Sequence, residues 1–319
     1  MGTPHTSDHT PGAHIAVITT GGTIACTRDA QGALIPTVSG EDVVREVASH
    51  FDAEHVRFTV NDVAHLDSSS LTVADIDRIL QAIATALADP TVTGVVVTHG
   101  TDSMEETAFA SDLFHHDPRP VIFTGAMRPA DDPSADGPRN LANAAMVAMD
   151  HSAREMGSLI VMGTHVLPAR GTTKTHTTAE PGFTYDGPAE PTRPQALPLH
   201  PLGGNGDVDI IYCWPGAPGT LIEAAVHRGA AGIVLVGMGA GNIGTSCGAA
   251  AEAAVEAGIP VVMTSRAASG PVVAEYGGAG GGAELAARGV IPGGFLSAGQ
   301  ARIALLAALA TGSDPRTLF

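Results

Sequence analysis

Along the first half of the chain, short apolar runs alternate with longer stretches in which apolar residues return every three or four positions. The runs His14-Ile15-Ala16-Val17-Ile18-Thr19, Val56 to Val60, Gly94-Val95-Val96-Val97-Thr98, Val121-Ile122-Phe123-Thr124 and Leu159-Ile160-Val161-Met162 predict buried strands. Ser39-Gly40-Glu41-Asp42 reads as an N-cap with an acidic first turn, opening a helix to about His50. Thr72 with Asp75 caps the next helix, whose Ile76, Ile79, Leu80, Ile83 and Leu87 fall at helical spacing. Ser103 and Glu106 have the spacing of a capping box, and Asp136-Gly137-Pro138-Arg139-Asn140 opens a helix through about Asp150. Thr27 to Val38 is polar, contains glycine and has no period, so a mobile loop is expected there.

Strands and helices alternating at these lengths predict a mostly parallel sheet with helices on both faces. Pro188 to Asp207 is rich in Pro and Gly and reads as a linker. Beyond it, strands are expected near Ile210 to Tyr212, Gly232 to Gly237 and Pro260 to Thr264, with helices near Thr220 to Arg228, Thr245 to Ala257 and Ser297 to Ala310. The fold class is therefore α/β, a larger N-terminal doubly wound parallel-sheet domain (residues 1–187), a linker (188–207) and a smaller C-terminal α/β domain (208–319). In open sheets of this kind, ligands bind beyond the carboxyl ends of the strands. Thr20-Gly21-Gly22-Thr23, His65-Leu66-Asp67-Ser68-Ser69-Ser70, His99-Gly100-Thr101-Asp102 and Gly125-Ala126-Met127-Arg128 all follow predicted strands.

Composition narrows the function. The 319 residues are 44% hydrophobic and 15% charged, with a formal net charge of −17, which argues against nucleic acid or an anionic membrane as partner. The three cysteines, Cys26, Cys213 and Cys247, are far apart and make no metal-ligand spacing. Met1 to His14 is polar and lacks an apolar leader core, and no window is apolar enough to span a membrane, so a cytoplasmic protein with reduced thiols is expected.

Fifteen of the 16 basic residues are arginine; Lys174 is the one lysine. A lysine amine gives up its proton when desolvated and a guanidinium does not, so a lone lysine among hydroxyls marks either a required amine or compositional chance. Thr101 and Asp102 precede a helix N-terminus, where free amides and the helix dipole suit a carboxylate or an oxyanion. An Asp at that position is more often a cap than a catalyst. The Gly-Gly pair at Gly21-Gly22 alone is weak evidence, being neither a phosphate loop nor a dinucleotide fingerprint.

In order along the chain stand TTGGTIA (Thr19 to Ala25), VVVTHGTDSMEETAF (Val95 to Phe109), TGAMRP (Thr124 to Pro129), DGPRNL (Asp136 to Leu141) and TKTHTT (Thr173 to Thr178). With these motifs the chain resembles the bacterial-type L-asparaginase family over most of its N-terminal half, the C-terminal half fitting more loosely. The resemblance implies that Thr23 is the primary nucleophile and that Thr101, Asp102 and Lys174 complete the catalytic set. It implies that Ser68 holds the substrate α-carboxylate, that Asp102 faces the α-amino group, and that Gly22, Ser69 and Ala126 join the substrate-binding set. Asn242 is expected to reach the active site of a neighbouring subunit, in a homotetramer built from tight dimers and needing neither metal nor cofactor. The implied activity is conversion of L-asparagine to L-aspartate and ammonia through a covalent acyl-enzyme.

That assignment suits the chemistry. A threonine hydroxyl is a poor nucleophile unless a base lies within reach, and Lys174 serves through Thr101 if burial lowers its proton affinity. Amides around Gly22 and Thr101 are candidate oxyanion donors. His99 and His176 are expected to be structural, and Cys26 a buried core thiol. One departure stands out. Many family members carry a tyrosine in the loop after the first motif, and none lies between Cys26 and Ser39. Tyr276 or Glu275 from a neighbouring subunit is the expected substitute. Two rival readings are an ammonia-supplying, glutamine-using subunit of a tRNA-dependent amidotransferase and a non-catalytic amino-acid sensor on the same fold.

Overall fold

The computed structural model describes residues 12–319, so most of the polar stretch behind the expected lack of a leader, residues 1–11, lies outside the described residues. The chain order is β1 (Ala13–Gly21), β2 (Cys26–Arg28), β3 (Leu34–Pro36), α1 (Gly40–Ala48), β4 (Val56–Leu66), α2 (Val73–Leu87), β5 (Gly94–Thr98), α3 (Met104–Phe114), β6 (Val121–Thr124), α4 (Gly137–Met149), β7 (Ser158–Met162), β8 (His165–Pro168), β9 (Thr172–Lys174) and β10 (Phe183–Tyr185). After a stretch without strand or helix come β11 (Val208–Tyr212), α5 (Thr220–His227), β12 (Gly232–Gly237), α6 (Thr245–Glu256), β13 (Val261–Ser265), α7 (Gly282–Ala287), β14 (Ile291–Pro292) and α8 (Ala298–Thr311).

The first sheet runs β4-β1-β5-β6-β7-β8, parallel except for the final β7–β8 pair. Its direction of winding reverses between β1 and β5, the crevice where open α/β sheets bind ligands. Alternate residues of β1, β5, β6 and β7 enter two different cores. Ile15, Val17, Val96, Ile122 and Leu159 pack toward α1 and α4, while Ile18, Val95, Val97, Phe123 and Ile160 pack toward α2 and α3. Burial on both faces is why these strands read as unbroken apolar runs. The second sheet, β11-β12-β13-β14, is parallel throughout.

Helix α8 ties the two sheets together. Ile303, Leu305 and Leu306 share one core with Val234 and Val262 of the second sheet and with Phe109 and Leu113 of α3. A helix buried on nearly every side, like α8, needs neighbours all round, and here the first domain supplies one of them. Residues 188–207 run without helix or strand but are pinned: Arg193 Nε donates to Asp112 Oδ1 at 2.8 Å and the Leu202 amide to Asp77 Oδ1 at 2.7 Å.

Two local expectations are corrected. Thr27 to Val38 is not featureless: β2 and β3 form an antiparallel hairpin whose turn is closed by Asp29 Oδ1, which accepts from the amides of Gln31 and Ala33. The three-residue strands are too short to show a period. The Ser103–Glu106 capping box does not form either. Ser103 caps α3 by position only; its hydroxyl donates instead to the Ser68 carbonyl at 2.6 Å, joining two loops. By contrast, Thr72 and Asp75 bond reciprocally, as their spacing predicts.

Candidate active site

The register of the first sheet brings the strand exits together. Thr19 of β1 lies beside Thr98 of β5, and Thr98 beside Thr124 of β6, while Gly21 pairs with Leu66 at the end of β4. The Thr20 hydroxyl donates to the Thr98 carbonyl at 3.0 Å, closing the β1–β5 exit. Gly22 follows with φ 81° and ψ −178°, backbone open to glycine alone, and a Cβ there would stand 2.4 Å from the Gly100 Cα. A Cβ on Gly100 would in turn stand 2.5 Å from Ser68 Oγ. Two missing side chains therefore let three loops touch, the loops on which Thr23, Ser68 and Thr101 stand.

Thr23, half-buried, opens a short 3-10 turn to Ala25. The Cys26 thiol donates to the Gly22 carbonyl at 3.3 Å. Burial, and then the charge of Asp67, push that thiol's pKa up, so Cys26 is the core thiol expected of it. Ser68 is buried and its Oγ accepts the Asp102 amide at 3.1 Å, whereas Ser69 beside it is exposed. Lys174 comes from β9, on another part of the chain. Its Nζ donates to Thr101 Oγ1 at 2.9 Å and to Asp102 Oδ1 at 2.6 Å. Lys174 is 16% exposed and Asp102 61%, so the amine is sheltered while the carboxylate faces outward.

His99, two residues before Thr101, lies fully buried. Its Nδ1 bonds the Gly100 carbonyl at 2.7 Å, which makes Nδ1 the protonated nitrogen, and Nε2 has no partner among the described residues. Burial drives its pKa down to about 4, so it is a neutral structural ring. His176 is also structural: its Nδ1 accepts from the amides of Thr178 and Ala179.

The remaining candidates divide. Ala126 is buried beyond β6, in a loop shaped by Asp136, which accepts from the amides of Met127 and Arg128 and from Asn140 Nδ2. Asn242, Glu275 and Tyr276 sit in loops of the C-terminal half. Asn242 Oδ1 accepts the Gly282 amide at 3.1 Å within its own domain, Glu275 is exposed, and Tyr276 is 60% exposed. Among the described residues, no hydrogen bond joins these three to Thr23 or Lys174 of the same chain. Among the described residues no group of three or more His, Cys, Asp or Glu is placed to hold a metal ion.

Sequence reasoning missed Glu105, Ser297 and Gln300. Glu105 Oε2 accepts from the Lys174 amide and from Thr173 Oγ1, both at 2.6 Å, and Oε1 accepts from Ser297 Oγ at 2.7 Å. In the sequence Glu105 is one more acid in a first helical turn, and nothing local signals partners 69 and 192 positions away. Asp136 was legible only as a helix start.

Hydroxyls, an amine and a carboxylate gathered at the winding reversal of a parallel sheet make a site for nucleophilic attack on an acyl carbon. Two family models match the chain: Asparaginase, N-terminal, over residues 14–191, and the Glutaminase/Asparaginase C-terminal domain over residues 207–318. This chain belongs to the asparaginase family. It is 35% identical to the probable L-asparaginase of Deinococcus radiodurans over 96% of each chain. It is 30% identical to L-asparaginase 2 of Bacillus subtilis, over 96% of this chain and 84% of that one. The crystal structure of a probable cytoplasmic L-asparaginase from Campylobacter jejuni superposes with a TM-score of 0.83 at 28% identity, covering 96% of this chain and 98% of the other.

Proposed function

We propose that this protein is an L-asparaginase that hydrolyses the side-chain amide of L-asparagine to L-aspartate and ammonia, with Thr23 as nucleophile. The observation that carries the reading is the placement of Lys174 Nζ between Thr101 Oγ1 and Asp102 Oδ1, at 2.9 and 2.6 Å, beside the loop that carries Thr23. Membership of the asparaginase family, and full-length similarity to proteins named L-asparaginase, support it.

In this reading Thr23 Oγ1 attacks the amide carbon, and its proton passes to Thr101 and Lys174 while Asp102 holds the amine in place. The oxyanion is met by amides around Gly22 and Thr101. The C–N bond then breaks, ammonia leaves with the transferred proton, and water hydrolyses the aspartyl ester to regenerate the hydroxyl. Ser68 Oγ accepts from the Asp102 amide, which leaves its own hydrogen for the substrate α-carboxylate. Asp102, largely exposed, takes the α-amino group, and Ser69 and Ala126 line the site. Asn242, with Tyr276 or Glu275, completes the site of a neighbouring subunit in a homotetramer. Two domains with boundaries near 187 and 208 carry these roles. A cytoplasmic location suits three cysteines that are buried free thiols.

The test is ammonia release from L-asparagine and L-glutamine by the purified protein, beside Thr23→Ala and Lys174→Arg. Asparagine turnover lost in Thr23→Ala and cut to a small measurable residue in Lys174→Arg is the expected result. Retention in Lys174→Arg reduces the lysine to a positional charge, and retention in Thr23→Ala removes the nucleophile from the mechanism. Turnover of glutamine alone favours the amidotransferase-type reading, and binding without turnover favours the sensor. Sedimentation of an active monomer overturns the shared site.

A further inference from the structure

The amine assigned to catalysis stands on a strand with little to hold it. β9 is three residues long and, among the described residues, pairs only with β10, antiparallel, in a sheet of two strands. Such a ribbon is marginal by itself. A lysine whose nitrogen must stay within hydrogen-bond reach of Thr101 needs its backbone fixed by something else.

Two side chains from helices supply that. Glu105, in the first turn of α3, accepts the Lys174 amide and the Thr173 hydroxyl on Oε2, both at 2.6 Å. Gln300, fully buried in the first turn of α8, accepts the Gly171 amide on Oε1 at 2.9 Å and donates through Nε2 to the carbonyls of Ala169 at 2.8 Å and Thr172 at 3.0 Å. The Ser297 hydroxyl, at the N-cap of α8, donates to Glu105 Oε1 at 2.7 Å. Glu105 also lies three and four residues after Asp102 and Thr101, on the helix whose N-terminus presents them. One carboxylate therefore touches the backbone of Lys174, belongs to the element carrying both partners of Lys174 Nζ, and bonds the C-terminal domain's last helix.

We infer that Glu105 is the positioning residue of the catalytic lysine: it fixes β9 against the start of α3, so that Lys174 Nζ meets Thr101 and Asp102, and it makes that alignment depend on the docking of α8. The inference rests on the asparaginase reading above. Both carboxylate oxygens of Glu105 are taken by donors of the protein itself, so its part is to position rather than to bind. It sets the position of the group that moves the proton, so it governs the chemical step and leaves ground-state binding of asparagine, made by Ser68 and Asp102, largely intact.

The experiment measures kcat and KM for asparagine in Glu105→Gln, in Lys174→Arg and in the double variant. Glutamine has the same shape but is neutral and has one accepting oxygen, so it weakens the charge-assisted bonds to β9 when that oxygen faces the strand and removes them when its NH2 does, in either case without a cavity. The expected result is a fall in kcat of about 10- to 100-fold with KM within about threefold, and no further loss when Glu105→Gln is added to Lys174→Arg. Ser297→Ala, which removes the bond from α8 to Glu105 together with the N-cap bond to the Gln300 amide, is expected to lower Tm and to reduce kcat less than Glu105→Gln does. A normal kcat in folded Glu105→Gln, or full additivity in the double variant, overturns the positioning role. Should the parent protein hydrolyse no asparagine, it is the asparaginase reading that fails. If Glu105→Gln does not fold, Thr173→Ala is the substitute, because it removes one of the two bonds to Oε2; an unchanged kcat there overturns the inference.

Discussion

The chain contains two parallel sheets whose strand exits look alike in sequence, short and glycine-rich, yet only the first set gathers chemistry. At the exits of β1, β4 and β5 the glycines are contact points between loops, Gly22 on Gly100 and Gly100 on Ser68, and each contact delivers a hydroxyl residue beside it. At the exits of β12 and β13 the glycines join one loop to the other as well, but their neighbours there are aliphatic. A Cβ on Gly241 would meet Val272 Cγ1 at 2.5 Å, one on Gly280 the Ile243 carbonyl oxygen at 2.3 Å, and Asn242 bonds the Gly282 amide. The same fold element thus serves a site in one half and packing in the other. Which of the two is decided by the residues next to each glycine, not by the glycine itself.

The sharpest way to break that comparison is to add one methyl group in each half. Gly22→Ala drives a Cβ into the Gly100 backbone at φ 81°, so it is expected to abolish asparagine turnover and to cost about 3 kcal/mol or more. Gly258→Ala, at φ +83° but with nothing within 4 Å, carries the backbone strain alone and is expected to cost about 1 kcal/mol with turnover retained. Urea denaturation with parallel ammonia assays reads both. Equal effects from the two variants would mean that loop convergence does not build the site.

The seam between the halves gives the next effect. Glu106 Oε2 is buried and has no partner among the described residues, and a Cβ on Gly299 of α8 would stand 2.4 Å from Oε1. Burial, then the neighbouring Glu105 charge, raise its pKa to about 7 from 4.5, against a smaller opposing pull from Arg302. Its native pKa is the higher one, so the folded state binds more protons, and stability is lost as pH rises from about 4.5 to about 7. His99 acts oppositely: its native pKa is depressed to about 4, so stability is gained as pH rises from about 4 to 6.5. In the parent protein the two slopes offset each other over the shared window. Glu106→Gln is expected to gain up to about 3 kcal/mol above pH 7 and nothing below 4.5, and to leave the His99 slope uncovered. Denaturation midpoints from pH 4 to 8 check this, and a parallel offset at every pH would contradict it.

The smallest effect belongs to the C-terminal loops. If Asn242 acts in a neighbour's site, Asn242→Ala is expected to raise KM for asparagine about tenfold at near-constant kcat, the loss of a hydrogen bond made in ground and transition states alike. A change in kcat without a change in KM would assign Asn242 to its own domain's packing.

What could be read from the residues follows from range. Helix ends, the reciprocal Thr72–Asp75 cap and the apolar strands depend on neighbours within a few positions, and the structure carries them at or within a residue or two of the expected places, except that β4 runs on to Leu66. The exits at Gly22, Ser68 and Thr101 were legible because each follows a recognisable strand. The β2–β3 hairpin was not, its strands being three residues each. Nor was the true bond of Ser103, whose hydroxyl had a local acceptor pattern and took a distant carbonyl instead.

By itself, then, the sequence determined the two α/β units, the strand exits and the residue types available for catalysis, because periodicity, capping and backbone freedom are local properties of the chain. Only the tertiary structure decided that Lys174 meets Thr101 and Asp102, that Glu105 holds its strand, and that Glu106 lies protected under α8. Those contacts span tens to hundreds of residues, and they form where packing of the helices against the sheets happens to bring one polar group within reach of another.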